Sequence, residues 1–157
     1  MSEAQMILYR VLTTGAELAN WIGDTTGLSV KWANQANDLR ITIMTHLWDG
    51  DYGAFKNYPT NTQKMYPQDA NSLAIMFGVV DTNSSEALNI SKRLTDNWTP
   101  IGVASPEFPE DISPFDSSFE IQAHFAAGQA QRGLELIRGL DSCSDVSAAF
   151  RDLVPAR

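Results

Sequence analysis

The sequence predicts an all-α fold. Apolar residues recur at helical spacing in six segments, whereas the alternating pattern that indicates strands is nearly absent. Short turns join these segments in pairs, which predicts three helical hairpins. The predicted helices cover residues 3–21, 30–48, 70–80, 85–97, 118–127 and 130–140.

The first hairpin joins residues 3–21 to residues 30–48 through a glycine-rich turn. Ser2 and Gln5 have capping-box spacing, so we expect them to start the first helix. Ser29 is the expected N-cap of the second. The predicted buried positions of the first helix are Leu8, Val11, Leu12, Gly15, Ala19 and Ile22.

The second and third hairpins each begin with an apolar helix. Asp69 is the expected cap of residues 70–80, and Ser117 with Glu120 has capping-box spacing before residues 118–127. Both segments are apolar on nearly all sides, whereas the segments after them are amphipathic. This alternation predicts two layers, with the two apolar segments innermost.

Two long polar connections, residues 49–68 and 98–116, lead into these inner helices, so we expect their loops to gather at one end of the fold. Residues 141–157 are weakly patterned and predict an irregular tail. The organisation expected is therefore one helical domain over residues 1–140, followed by that tail.

Composition limits the classes of partner. The net charge is −8 with only 11 basic residues among 157, so we expect no nucleic-acid partner and no anionic membrane partner. The N-terminus lacks the pattern of a signal peptide, and the localisation stays open. Cys143 is the single cysteine, and the two histidines are far apart in sequence. No disulfide within the chain, no metal and no cofactor are therefore expected.

Three stretches that follow one another in a fixed order carry a resemblance to a known family. They are MYPQDANSLAIMFG at residues 65–78, WTPIG at residues 98–102 and SPFDSSFEIQAHFAAG at residues 113–128. They resemble fungal α-L-rhamnosidase-like six-hairpin glycosidases, over roughly residues 3–140. The resemblance implies part of an (α/α) toroid, a closed double ring of helices that binds the sugar at its mouth. It also implies hydrolysis with inversion of configuration at the anomeric carbon.

The chain departs from this family at both ends. The family's general acid lies on a segment before the first helix found here, and its general base lies after the sixth, where residues 141–157 hold no matching motif. We therefore expect the C-terminal half of the ring, truncated at both ends. Helix faces that the rest of a ring would cover predict self-association.

Glycoside hydrolysis needs one protonated and one ionised carboxyl group. The carboxyl groups expected at the loop end belong to Asp69, Glu107, Asp116 and Glu120. Asp69 and Glu120 have helix capping as an alternative role, and Glu107 has that of a solvated loop residue. The sequence therefore assigns no catalytic pair.

Sugar binding requires hydroxyl partners and an aromatic face, and both are present near the loop end. His124 is a hydrogen-bonded core histidine in one interpretation and a contact to a sugar hydroxyl in the other. Loop aromatic side chains either stack on a sugar ring or fix the loop. The predicted substrate-binding residues are Gln68, Asp69, Trp98, Phe115, Asp116 and His124, and the expected ligand is a rhamnose-like sugar.

Two functions from different classes follow. The first is a partial glycoside hydrolase domain that resembles α-L-rhamnosidases and is inactive on its own. The second is a non-catalytic helical interaction module or sugar-binding module that uses the uncovered helix faces.

We expect the purified chain not to release nitrophenol from aryl α-L-rhamnosides between about pH 4 and pH 7, because general acid and base assistance each contribute about 10²–10⁴-fold. Release should be measured over hours, with the Asp69→Asn and Glu107→Gln variants alongside. Hydrolysis well above buffer that either substitution abolishes would place the catalytic pair within this chain.

Overall fold

The computed structural model describes residues 1–60 and 62–140. Helices make up 62% and strands 11%, so the fold is mostly helical but not all-α. The predicted tail, residues 141–157, lies outside the described residues. The helices are α1 (Ser2–Trp21), α2 (Leu28–Leu47), α3 (Gln68–Met76), α4 (Ser85–Leu94), α5 (Pro114–Ala126) and α6 (residues 130–140), and one 3₁₀ turn, Thr95–Asn97, follows α4.

The prediction that strands are nearly absent was wrong, because both long connections contain short antiparallel sheets. Each is too short, or too exposed, to give an alternating pattern. The edge strand β5 even contains Pro109, which an edge position tolerates. The first sheet pairs β1 (Trp48–Asp49) with β2 (Ala54–Phe55), and the second has the order β3 (Trp98–Thr99), β4 (Gly102–Ser105), β5 (Phe108–Ile112).

Helix α3 lies at the centre of the fold and contacts α1, α4 and α5. Its residues from Ala70 to Ile75 are all buried, as the predicted inner position requires. Small side chains in this segment let the neighbouring helices approach closely. The largest fully buried apolar side chains around it are those of Met6, Ile43, Phe55 and Ile90.

Helix α5 is buried on one face only, so the prediction of an apolar segment buried all round was wrong for it. Ser117, Glu120 and His124 face the interior, whereas Phe115 and Phe125 are exposed. The buried face of α5 therefore carries mainly polar side chains.

The helix starts differ from the predicted caps. The predicted capping box of Ser117 and Glu120 was wrong, since α5 begins at Pro114 and the Ser113 hydroxyl accepts the Asp116 N–H at 3.2 Å. Ser29 does not cap α2 either: Gly27 holds that position.

Helix α1 differs from its prediction in two ways. Met1, with no side-chain cap, precedes the helix, so the predicted Ser2–Gln5 box was wrong. The predicted buried face was wrong in part, because Leu8, Val11 and Ile22 are exposed. Apolar residues lie on two sides of this helix, and only one side packs against the core.

The second hairpin is shorter than predicted. Helix α3 ends at Met76 because Gly78 adopts a left-handed backbone with φ of 76°, and Val79 and Val80 remain buried beyond it.

Within the described residues, no helix is long and apolar enough to cross a membrane.

Candidate functional site

An acidic pocket of about 310 Å³ lies at the N-terminal ends of α3 and α5. Both long connections reach it, as expected from the sequence. We call it the acidic pocket; its polar lining consists of Glu3, Asn57, Asp69, Ser105, Glu107 and Asp116.

Three different elements deliver the carboxyl groups proposed from the sequence. Asp69 is the second residue of α3, and Asp116 lies in the first turn of α5. Glu107 lies in the turn between β4 and β5, where its carboxylate accepts a hydrogen bond of 2.8 Å from the Ser105 hydroxyl. Three of the four candidate carboxyl groups therefore line one pocket.

Burial, together with the negative charges of Glu3, Glu107 and Asp116, raises the pKa of Asp69 from 3.8 to about 6. The Ala70 N–H donates to the Asp69 carboxylate, with 2.6 Å between nitrogen and oxygen, and this hydrogen bond lowers the pKa. Below about pH 6 this group holds a proton within a pocket of carboxylates. Within the residues that the structure describes, no group of three or more histidine, cysteine, aspartate or glutamate side chains is arranged to hold a metal ion.

The fourth candidate, Glu120, is fully buried and does not line this pocket. The Trp98 indole donates to Glu120 Oε1 at 2.6 Å, and the Gln68 amide donates to Oε2 at 2.7 Å. His124 Nε2 lies 3.2 Å from Oε1. A buried carboxylate is costly without such donors, so these contacts make its burial possible.

The network continues from His124 to the protein surface. The Ser91 hydroxyl lies 2.8 Å from His124 Nδ1, and Arg132 Nη1 lies 2.9 Å from the same hydroxyl. Because arginine only donates, the Arg132 guanidinium donates to the Ser91 hydroxyl. A carboxylate only accepts, so His124 Nε2 is the donor to Glu120. We call these six residues the Glu120 network: Gln68, Ser91, Trp98, Glu120, His124 and Arg132.

The Glu120 network supports the fold and does not form a nucleophilic triad. Ser91, His124 and Glu120 are hydrogen-bonded one after another, as in such a triad. However, Ser91 is fully buried, and its hydroxyl also binds Arg132. A substrate carbonyl therefore has no access to the oxygen.

The six predicted substrate-binding residues separate into groups. Gln68, Trp98 and His124 belong to the Glu120 network, whereas Asp69 and Asp116 line the acidic pocket. Phe115 lies outside both: it is 69% exposed and packs edge-on against Phe119.

Sequence reasoning missed Ser91 and Arg132. Ser91 lies on the buried face of α4 together with Ala87, Ile90 and Leu94. A serine within an apolar stripe was the available signal. Arg132 gave none, because its partner is distant in the sequence.

Loop aromatic side chains fix the connections. Tyr66 stacks on Tyr52 with 3.8 Å between ring centroids, and its hydroxyl donates to Asp49 at 2.8 Å. Trp98 is held by Glu120. For these two side chains the structure favours the loop-fixing interpretation.

A comparison with protein-family models found no match for the chain, and a comparison with curated protein sequences found none either. The function is therefore inferred from the residues and their geometry.

Replacing Glu120 by alanine should lower the free energy of unfolding by about 3 kcal/mol or more, because two buried donors and the half-buried Trp98 indole lose their acceptor. Glu120→Gln should lose less, since its amide oxygen still accepts. Urea denaturation measures both variants. Glu110→Ala, an exposed change on β5, is the matched control and should stay within about 0.5 kcal/mol of wild type. Equal stability of Glu120→Ala and the control would show that the network contributes nothing.

Asp69→Asn should raise the free energy of unfolding at pH 7 by about 1 kcal/mol, because it removes a charge that is unfavourable in the folded state. This gain is smaller than the free energy that corresponds to the full pKa difference, because solvent partly screens the half-buried group. The folded-state pKa of about 6 exceeds the ordinary 3.8, so the cost of the charged group is present above about pH 6 and disappears as the pH falls toward 3.8. The gain should therefore vanish at low pH. Urea denaturation at both pH values measures it, with the exposed Asp111→Asn variant as control; a gain that is independent of pH would contradict this prediction.

Proposed function

We propose that this chain is part of a glycoside hydrolase of the α-L-rhamnosidase-like type and that the acidic pocket holds a rhamnose-like sugar. One observation carries the proposal. Asp69, Glu107 and Asp116, which the sequence places on separate segments, line one pocket where two long connections enter α3 and α5.

The chemistry of the pocket suits a small polyol. Carboxylates accept charge-assisted hydrogen bonds from sugar hydroxyls. Asn57 and Ser105 add neutral polar groups to the lining. A volume of about 310 Å³ lies at the lower end of the range for small-molecule sites, which favours a single sugar unit.

The protonation states also support a carbohydrate-active origin. Hydrolysis with inversion uses one carboxyl group that holds a proton and a second one that activates water. The raised pKa of Asp69 gives this group the protonated state under mildly acidic conditions. Asp69 is therefore the carboxyl group in the pocket whose substitution is most informative in the hydrolysis assay.

The helix order supports the proposed (α/α) toroid architecture. Helices α1 and α2 form one hairpin, and α3 contacts both α1 and α5. The first helices of successive hairpins thus lie side by side, which is the arrangement of an inner layer. We propose that α1, α3 and α5 form the inner part of an arc and that α2, α4 and α6 form the outer part.

L-rhamnose should bind the purified chain weakly, with a dissociation constant of about 1 mM, in isothermal titration calorimetry. Asp69→Asn and Glu107→Gln should each weaken binding about tenfold, because each removes a charged hydrogen-bond acceptor. Glu110→Gln lies on β5 outside the pocket and should leave the affinity unchanged.

Binding that is absent in wild type, or unaffected by both pocket substitutions, would contradict the proposal. A defined oligomer without sugar binding would favour the second function, an interaction module. The specific observation behind that alternative is the exposed apolar side of α1.

A further inference from the structure

Helix α1 carries an apolar stripe on the side opposite the core. Its buried side holds Ser2, Met6, Ala16 and Ala19. On the other side, exposure reaches 60% for Val11 and 76% for Trp21. We call the exposed set the α1 stripe: Ile7, Leu8, Val11, Leu18, Trp21 and Ile22.

The stripe has the spacing of a helix–helix seam. Ile7, Val11, Thr14, Leu18 and Trp21 follow one another at alternating intervals of four and three residues. This spacing is the heptad pattern that keeps one face of a helix against a partner helix. In that pattern Ile7 and Trp21 occupy d positions, and Val11 and Leu18 occupy a positions.

Charged residues lie along one flank of this seam. Glu3, Arg10 and Glu17 all occupy the g position, with alternating sign. Within residues 1–60 and 62–140, neither Arg10 nor Glu17 forms an ion pair. Both side chains are exposed, so they are available to a partner.

We propose that a second copy of this chain covers the α1 stripe, with the two α1 helices antiparallel across a two-fold axis. In antiparallel pairs the a residues face d residues, and g residues face g residues. When Arg10 faces Glu17 of the second copy, the two-fold axis creates the same ion pair a second time.

This register also matches side-chain sizes along the seam. Ile7 faces Leu18 of the second copy, Val11 faces Thr14, and the large Trp21 faces the small Ala4. On the other flank, Leu8 lies nearest Gly15 of the second copy. One alignment thus satisfies the apolar layers and both charged pairs.

A parallel pair does not have this complementarity. Parallel helices place g residues against e residues, and the e positions of α1 are Leu8, Gly15 and Ile22. Arg10 and Glu17 would then face apolar residues or glycine. The charges therefore select the antiparallel arrangement of two copies.

Charge reversal with mixing tests the register. Arg10→Glu alone places two glutamates opposite each other at both ends of the pair, and Glu17→Arg alone places two arginines there. Each single variant should raise the dimer dissociation constant about tenfold or more. An equimolar mixture of the two variants restores both ion pairs, so it should form a heterodimer about as tight as the wild-type dimer. Sedimentation equilibrium at several concentrations measures all three samples.

A matched control is available on α2. Lys31 and Asp38 are exposed and also seven residues apart, but they lie outside the stripe. Lys31→Glu and Asp38→Lys make comparable charge reversals and should leave dimerisation unchanged. Leu18→Gln should weaken the dimer, whereas Leu88→Gln, at a comparably exposed position on α4, should not.

Three outcomes would overturn the proposal. A wild-type chain that stays monomeric at submillimolar concentration means that another segment of this chain or a different protein covers the stripe. Single reversals that dimerise like wild type mean that the contact lies elsewhere. If the mixture of Arg10→Glu and Glu17→Arg does not dimerise more tightly than either variant alone, the antiparallel register is excluded. Sugar binding does not enter this test, so its result is independent of the proposed function.

Discussion

The buried carboxylate of Glu120 is the constraint on which the arrangement of the helices depends. It needs donors, and these come from α3 through Gln68, from β3 through Trp98 and from α5 itself through His124. The relay through Ser91 brings the positive charge of Arg132 to the far end of the same network. Four helices and one strand must therefore keep their relative positions for the charge to remain satisfied.

The acidic pocket inherits its geometry from this network. Asp69 follows Gln68 directly, and Asp116 lies one helical turn before Glu120 on α5. Glu107 belongs to the hairpin of β4 and β5, whose neighbour β3 begins with Trp98. Asp69, Glu107 and Asp116 are thus each connected to a member of the network. The Glu120 charge is compensated, whereas the pocket has no lysine or arginine in its lining. The hydrogen-bonded Glu120 network therefore supports a pocket whose carboxyl groups repel one another. Groups with perturbed pKa values of this kind cluster at functional sites.

Helical periodicity predicted the six helices because it depends on local spacing, but it could not predict the helix starts or the partners of Glu120. Ser117 and Glu120 satisfy the capping-box spacing, and the same spacing also occurs inside a helix. Pro114 was the better signal, because proline is favoured at the first helical position, which places the helix start at Pro114 and the N-cap at Ser113. Two of the donors to Glu120, Gln68 and Trp98, lie 52 and 22 residues away, where no local pattern reaches. Strands of two residues are too short to alternate, so β1 and β3 left no trace in the sequence.

Helix α1 connects the two surfaces of the protein. Its Glu3 lines the acidic pocket and contributes to the raised pKa of Asp69, and it also lies on the charged flank of the α1 stripe. In the proposed antiparallel pair, Trp21 of the second copy packs on Ala4, next to Glu3. Glu3 therefore connects the acidic pocket to the charged flank of the α1 stripe.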